Sequence, residues 1–409
     1  MSTYEMNRIA PINSGIPANN KRFRIPYKRI AKFISFKIVL PLVYAVFSAG
    51  KADPRLVVFA DYRFRSMPDN MKALYEGLAA RGYRTLAVLK RGGKGIRGKN
   101  FFSYLSFVKN AARAKYIVVN DYYPPLYAIR PRRGQKVIQI WHAAGAFKKF
   151  GYSTADKKWG ASRQTLERYP IHNNYSHVIV SSSEVIPYYA DAFNIGADRI
   201  YDYGLPRSDV FFHPGYRNEC REKLYGLFQK AEGKKVILYA PTFRGVSAKS
   251  AVCGDMLDYA ALEKAFGGDY VVITKFHPLA KPQFSEAENY GDFVKDVTDR
   301  MEINEAMACA DILISDYSSL VFEFSLLERP MIFFAYDLRE FIDERDFYYN
   351  YEDFVPGPIV EDNRGLIKAI LDAEKSFDRK KVSMFREKFM HACDGHSTER
   401  IIDRVFERN

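Results

Sequence analysis

The sequence predicts an α/β protein built from two doubly wound parallel-sheet domains. Three observations carry that prediction. The 409 residues suffice for two or three units of roughly 150 residues each. Beyond Lys51, short apolar runs of buried-strand type alternate with helical patterns. The alternation pauses at a polar connecting stretch near residues 210–234 and then restarts, as two successive β/α halves would. With 47% hydrophobic and 27% charged residues, the composition is that of a folded soluble chain. It excludes a disordered protein, a collagen-like fibre and a polytopic membrane protein.

Residues 1–50 are set apart by charge. Residues 1–51 hold nine basic side chains against the single Glu5, so this eighth of the chain carries +8 of the net +14. Such a surplus points to an anionic partner. The basic run leads into Ile38–Ala49, twelve apolar residues, short of the ~20 that span a bilayer. Gly50–Lys51–Ala52–Asp53 would also make a poor signal-cleavage site. The segment is therefore expected to lie in the plane of an anionic membrane surface. The alternative is a basic helix packed on the protein's own surface. Residues 1–20, with Asn, Ser, Pro and Gly, are expected to be a flexible lead-in.

The first half, residues 51–209, opens with the strand Leu56–Ala60 and a helical pattern over Asp69–Arg81 that Gly82 stops. Arg84–Leu89, Phe101–Ala112 and Tyr116–Asn120 continue as strand, helix and strand. Val137–Ile140 is a strand that runs directly into Trp141–His142. Val178–Ser181 and a helix from near Glu184 close the half around Gly204. In the second half, residues 210–409, the buried runs are Val236–Tyr239, Tyr270–Thr274, Ile312–Ser315 and Met331–Phe334. Cys220, Cys253, Cys309 and Cys393 are too widely spaced for a C-x-x-C motif and read as reduced thiols.

Ligands of doubly wound sheets sit outside the carboxyl ends of the strands, so those ends hold the candidate site. The first-half strand Val137–Ile140 delivers His142, then Ala143, Ala144 and Gly145. A neutral imidazole there can take a proton from a hydroxyl, and the small neighbours admit a substrate; a core histidine beside Trp141 is the plainer reading. Val236–Tyr239 ends in Ala240–Pro241–Thr242–Phe243–Arg244, whose guanidinium suits a phosphate. Tyr270–Thr274 ends in Lys275 and His277, a cation and an imidazole at the same sheet edge. Ile312–Ser315 ends in Asp316–Tyr317–Ser318–Ser319 before a helix through Glu323. The serines offer hydroxyls beside free N–H groups, an anion cradle, or plain N-capping.

Other candidates are weaker. Gly92, Gly93 and Gly95 lack the G-x-G-x-x-G spacing and read as a surface turn. His172 and His177 are five apart, a spacing that suits no metal pair on a helix, and His213, His391 and His396 are isolated. No carboxylate cluster calls for a bound metal, and no cofactor is expected.

Gln139–Gly151 (QIWHAAGAFKKFG) resembles the W-H-x-x-G segment of the CDP-glycerol glycerophosphotransferase family, which includes teichoic acid primases and glycerol- and ribitol-phosphate polymerases. Ala240–Arg244, Lys275–Pro278, Ile314–Glu323, Arg329–Leu338 and Asp394–Arg400 are similar to further blocks of that family, in family order. The resemblance implies a GT-B type fold, two Rossmann-like domains facing a cleft, attached to the cytoplasmic face of the membrane as a peripheral, monotopic protein. It implies transfer of an alditol phosphate from a CDP-alditol to a hydroxyl of an undecaprenyl-linked acceptor or growing polymer, releasing CMP. Carried over by position, His142 would be the general base and His277 would steady the pyrophosphate or leaving group. Arg244, Ser318 and Ser319 would hold phosphates, with Lys275, Asp316 and Gly145 in the same substrate site, and Glu323 would accept ribose hydroxyls.

CDP-glycerol is the expected donor on the family's usual chemistry. CDP-ribitol is the alternative, because Arg345–Asp346–Phe347–Tyr348 and Phe354–Val355–Pro356–Gly357–Pro358 resemble the ribitol-phosphate polymerases. A nucleotide-sugar transferase of GT-B type is a more distant reading, against which the His142 and Asp316–Ser319 blocks argue. Nucleic-acid binding is not expected, since the excess charge sits on the N-terminal segment and no such motif is present.

Overall fold

The computed structural model describes residues 27–89, 97–157, 160–244, 254–277, 289–344 and 346–407. The lead-in at 1–20, the Gly92–Gly95 turn, Cys253, Pro278 and Arg345 lie outside the described residues.

The chain enters through α1 (Tyr27–Ile34), a π turn (Ser35–Val39) and α2 (Leu40–Phe47). The helical stretch Ile30–Phe47 is 18 residues long with mean hydropathy 1.9. By length and composition it is sufficient to cross a membrane, a longer run than the twelve residues read from the sequence. One face is nonetheless docked on the protein. Leu40 and Tyr44 are buried, and the Tyr44 hydroxyl donates to Gln135 Oε1 at 2.6 Å and accepts from the Arg132 N–H at 3.1 Å.

The first sheet contains β1 (Asp53–Ala60), β2 (Arg84–Val88), β3 (Ala114–Val119), β4 (Lys136–Gln139), β5 (His177–Ile179) and β6 (Ile200–Tyr201) in the order β2-β1-β3-β4-β5-β6. All its neighbouring pairs are parallel. The connections carry α3 (Asp69–Ala80), α4 (Arg97–Arg113), α5 (Arg163–Arg168) and α6 (Ile186–Phe193). Helices cover both faces, so the central strands are continuous apolar runs rather than alternating ones. Val57, Val58 and Phe59 are all fully buried.

The second sheet contains β7 (Lys235–Tyr239), β8 (Tyr270–Thr274), β9 (Val294–Asp296), β10 (Ile312–Ser315), β11 (Met331–Phe334) and β12 (Ile359–Val360), ordered β12-β11-β10-β7-β8-β9 and again all parallel. The segment read as a polar connection in fact holds α7 (Tyr216–Leu227). Only Cys220 and Leu224 of that helix are buried, too few apolar positions to show a period. The strands β6, β9 and β12 also left no apolar run to read, because each is only two or three residues long. The helices that follow are α8 (Tyr259–Phe266), α9 (Ile303–Cys309), α10 (Leu320–Ser325), α11 (Leu338–Glu344), α12 (Tyr351–Phe354), α13 (Asn363–Ser376), α14 (Arg379–Met390) and α15 (Ser397–Ile401).

Two features bind the sheets to each other. The chain end returns to the first sheet, where Ile401, Ile402, Val405 and Phe406 join Val57 and Phe59 in one apolar cluster. Tyr83 and Tyr116 each donate a hydroxyl to the Phe406 carbonyl at 3.0 Å. An aromatic seam fills the other contact: Phe147, after β4, stacks on Phe354 of α12 at 4.9 Å, and Phe322 of α10 stacks on Phe385 at 5.4 Å.

Candidate active site

Each sheet has one topological switch point, where successive connections leave in opposite directions and a crevice opens at the strands' carboxyl ends. In the first sheet it falls between β1 and β3, and in the second between β7 and β10. Residues following these strands, with those following the neighbouring β4 and β8, line two adjoining chambers of about 420 and 330 Å³. The chambers share His142, His277, Ser318 and Ser319. The structure thus brings together four residues singled out from the sequence, one from the first sheet and three from the second.

His142 is held at a bent strand end. Trp141 turns the chain at φ +48°, a left-handed conformation that a bulky residue adopts only when its surroundings hold it there. The surroundings are visible: the Trp141 N–H donates to Gln139 Oε1 at 2.9 Å, and its carbonyl accepts from Asn70 Nδ2 at 2.5 Å. The indole stacks on Phe150 with ring centroids 5.1 Å apart. Trp141 is therefore the buried member of the pair, while 39% of the His142 side chain remains accessible.

Asp121, at the end of β3, lies with Oδ2 3.5 Å from His142 Nδ1, an electrostatic contact longer than a hydrogen bond. The same oxygen is 2.8 Å from Arg63 Nη1. Burial lowers the His142 pKa from its usual range; Asp121 opposes that shift, while Arg63 and Arg207 add to it. The imidazole is accordingly neutral at pH 7. Asp121 escaped the sequence reading even though the strand-end rule covers it, because Tyr116–Asn120 carries no histidine or serine to draw attention to its end.

His277 follows β8, its ring 5.0 Å from that of Phe243. Burial again lowers its pKa, with Arg63 and Lys148 contributing. Lys275 lines the larger chamber but donates its ammonium to the Thr298 carbonyl at 2.7 Å, and burial lowers its pKa. Ser318 and Ser319 lie half-buried at the start of α10. Asp69 and Glu302 also line the larger chamber, both with pKa values raised, chiefly by burial. Among the described residues no group of three or more His, Cys, Asp or Glu is arranged to hold a metal.

Three of the expected ligand contacts are placed otherwise. Arg244 is clamped by carboxylates: Nε and Nη2 donate to Asp337 at 2.6 and 2.8 Å, and Nη1 donates to Asp316 at 2.9 Å. Its cation lies 5.1 Å from the rings of both Tyr317 and Phe341. Asp316 is buried and also accepts the Thr242 N–H at 2.8 Å, so these two residues brace the loops after β7 and β10 against each other. Glu323 is fully buried and paired with Arg207, whose Nε donates to Oε1 at 2.6 Å. None of the three is among the chamber-lining side chains. A strand-end position alone does not say whether a charged group faces the crevice or a neighbouring loop. Gly145 does line the smaller chamber, but its distinguishing contact is with α10. Its φ is +62°, and a Cβ there would come within 2.3 Å of the Phe322 ring.

With this geometry in view, the comparisons with known proteins converge. The family model described as CDP-glycerol:poly(glycerophosphate) glycerophosphotransferase matches residues 42–407. The chain is 37% identical over 353 residues to a teichoic acid ribitol-phosphate primase of Bacillus spizizenii, covering 85% of this chain and 90% of that one. It is 30% identical over 391 residues to a teichoic acid glycerol-phosphate transferase of Staphylococcus aureus, covering 91% and 98%. It spans 58% of the length of a poly(ribitol-phosphate) polymerase of B. spizizenii to which it is 35% identical. Among solved structures, the wall teichoic acid polymerase TagF, in a form soaked with CDPG, superposes with a TM-score of 0.75 at 24% identity, covering 93% of this chain and 96% of that one. The fold is thus of GT-B type, two Rossmann-like sheets facing a cleft.

Proposed function

The chain belongs to the CDP-glycerol:poly(glycerophosphate) glycerophosphotransferase family, and from that premise we propose that it transfers an alditol phosphate from a CDP-alditol to an acceptor hydroxyl in teichoic acid synthesis, releasing CMP. The observation that carries this reading is the convergence of His142 from one sheet with His277, Ser318 and Ser319 from the other on a single cleft.

In the proposed reaction the acceptor oxygen attacks the phosphorus that bears the alditol. The bond from that phosphorus to the bridging oxygen breaks, and the electron pair leaves with CMP. His142, neutral and with Asp121 against its Nδ1, takes the acceptor proton on Nε2. His277, Lys275 and the two serine hydroxyls stabilise charge on the donor's phosphates and on departing CMP. Arg244, Asp316 and the Glu323–Arg207 pair shape the loops that carry these groups. No step requires a cofactor.

Both alditols have support. The family's description and the transferase of S. aureus name glycerol phosphate, and CDP-glycerol is the donor expected from the sequence. The higher identities favour ribitol: 37% to the ribitol-phosphate primase against 30% to the glycerol-phosphate transferase. The acceptor is proposed to be lipid-linked, presented at an anionic cytoplasmic membrane surface. The N-terminal helix supports this, because it exposes Ile30, Ile34, Ile38, Leu42 and Val46 while its other face stays docked through Tyr44. An in-plane orientation keeps that docking, whereas a spanning one would strand the Tyr44–Gln135 contact in lipid.

The deciding experiment incubates purified protein with CDP-glycerol and CDP-ribitol in parallel, with a lipid-linked disaccharide acceptor, and measures CMP. Acceptor-dependent CMP from either donor supports the reading and fixes the alditol. UDP or UMP release from a nucleotide sugar, with no CMP from either donor, would replace it by the sugar-transferase alternative.

A further inference from the structure

We propose that the cavity between the N-terminal helix and the first domain is the subsite for the diphosphate–saccharide junction of the acceptor, an inference that rests on the lipid-linked acceptor proposed above. The cavity, about 340 Å³, is separate from the two catalytic chambers, and at that size it holds a small ligand. Lys32 and Lys37 line it from the helix, and Tyr104, Tyr122, Tyr127 and Tyr169 line it from the domain. Among the described residues that line it there is no Asp or Glu. Two cations and several tyrosine rings, without an opposing carboxylate, suit an anionic group joined to a sugar. The ammonium groups neutralise the diphosphate, and the rings offer flat apolar faces with hydroxyl edges to the pyranose.

The helix geometry builds this pair of cations. Five residues apart on a regular α-helix, Lys32 and Lys37 would project about 140° apart. Lys37 lies within the π turn Ser35–Val39, whose wider winding brings i and i+5 towards the same side. Both ammonium groups in fact lie over one ring, Tyr169, at 4.5 and 5.5 Å from its centroid, which holds them at the cavity. The same wide turn counteracts the drift that residues four apart show on an α-helix. It thereby keeps Ile30, Ile34, Ile38 and Leu42 in an exposed apolar stripe suited to a prenyl tail.

One loop connects this cavity to the chemistry. Tyr122 lines the cavity, while its neighbour Asp121 faces His142. Tyr122 and Asp121 are consecutive in the loop after β3, so that loop borders both the cavity and the base, and the saccharide is proposed to run along it towards His142. Lipid, diphosphate and saccharide would then follow one line from the membrane surface to the base.

The test measures equilibrium binding of a water-soluble farnesyl diphosphate-linked disaccharide to the full chain in the absence of membranes, which removes headgroup attraction. Inorganic pyrophosphate and the free disaccharide serve as separate ligands, and CDP-alditol binding is measured alongside. The expected result is a Kd for the linked probe at least ~10-fold tighter than for either fragment. Lys32→Ala/Lys37→Ala and Tyr169→Ala should each weaken it by ~10-fold or more. Lys32→Arg/Lys37→Arg should restore it to within ~3-fold, with CDP-alditol affinity unchanged within ~2-fold throughout. No binding by the wild-type chain, an unaffected double-alanine variant, or parallel loss of CDP-alditol binding would overturn the proposal. CMP release by the wild-type chain is scored independently. Its absence with probe binding intact sinks the transferase reading alone, and its presence with probe binding indifferent to the lysines sinks the subsite alone.

Discussion

Replacing Asp121 by Asn removes one charge from beside His142 and almost no volume. The Oδ2–Nδ1 separation is 3.5 Å, at which two unit charges interact by roughly 5 kcal/mol for an effective dielectric of 20. His142 is 39% accessible, so solvent screening reduces this to about 1–2 kcal/mol, or roughly one pKa unit. The sign is fixed by the geometry. Asp121 favours the protonated imidazole, so its loss lowers the His142 pKa further, and Arg63, left without its carboxylate partner, pushes the same way. In the pH–rate profile of CMP release the wild-type acid limb should already fall below the ordinary histidine value of 6.5. In Asp121→Asn that limb should move down by about one unit, while the plateau rate falls ~10–100-fold because the base is weaker and less well oriented. An unmoved acid limb together with a plateau rate within twofold of wild type would refute the assignment of Asp121 and leave His142 without its proposed partner.

Four further outcomes are expected. His142→Ala and His277→Ala should each lower turnover by at least ~100-fold, and near-wild-type turnover in a folded variant would sink that residue's role. Gly145→Ala places a Cβ 2.3 Å from the Phe322 ring at φ +62°; left-handed strain of about 1–2 kcal/mol and overpacking of about 1–3 should lower the urea midpoint, and an unchanged midpoint would be the contrary result. Arg244→Lys cannot reproduce the fork onto Asp337 and should cost about 2 kcal/mol of stability with donor KM within about threefold. A large rise in donor KM at unchanged stability would instead put Arg244 on the phosphates. His172 is buried with its pKa depressed to about 3, by desolvation, so the unfolded chain binds a proton there that the folded one refuses. Its stabilising contribution is complete above pH ~6.5 and falls by about 1.4 kcal/mol per unit between there and pH ~3. His172→Asn, which keeps an acceptor near Tyr175 and tolerates the left-handed backbone at that position, should flatten the acid slope of thermal stability; an identical slope would contradict the depressed pKa.

What the sequence determined by itself was whatever depends on local pattern. Strands buried on both faces must be continuous apolar runs, so β1, β3, β4, β7, β8, β10 and β11 were legible, and with them the strand ends that hold His142, His277, Ser318 and Ser319. Block similarity in family order supplied the family. The short strands β6, β9 and β12 and the sparsely buried α7 left no such pattern. The tertiary structure decided which strand-end groups meet each other and which meet a ligand. Asp121 became His142's neighbour only because β3 and β4 lie side by side. Arg244 was drawn onto Asp316 and Asp337, and Glu323 onto Arg207, by loops distant in sequence. A charged side chain's type does not say whether its partner is a phosphate or a carboxylate. Burial makes one partner obligatory, and only the packed fold determines which one stands within reach.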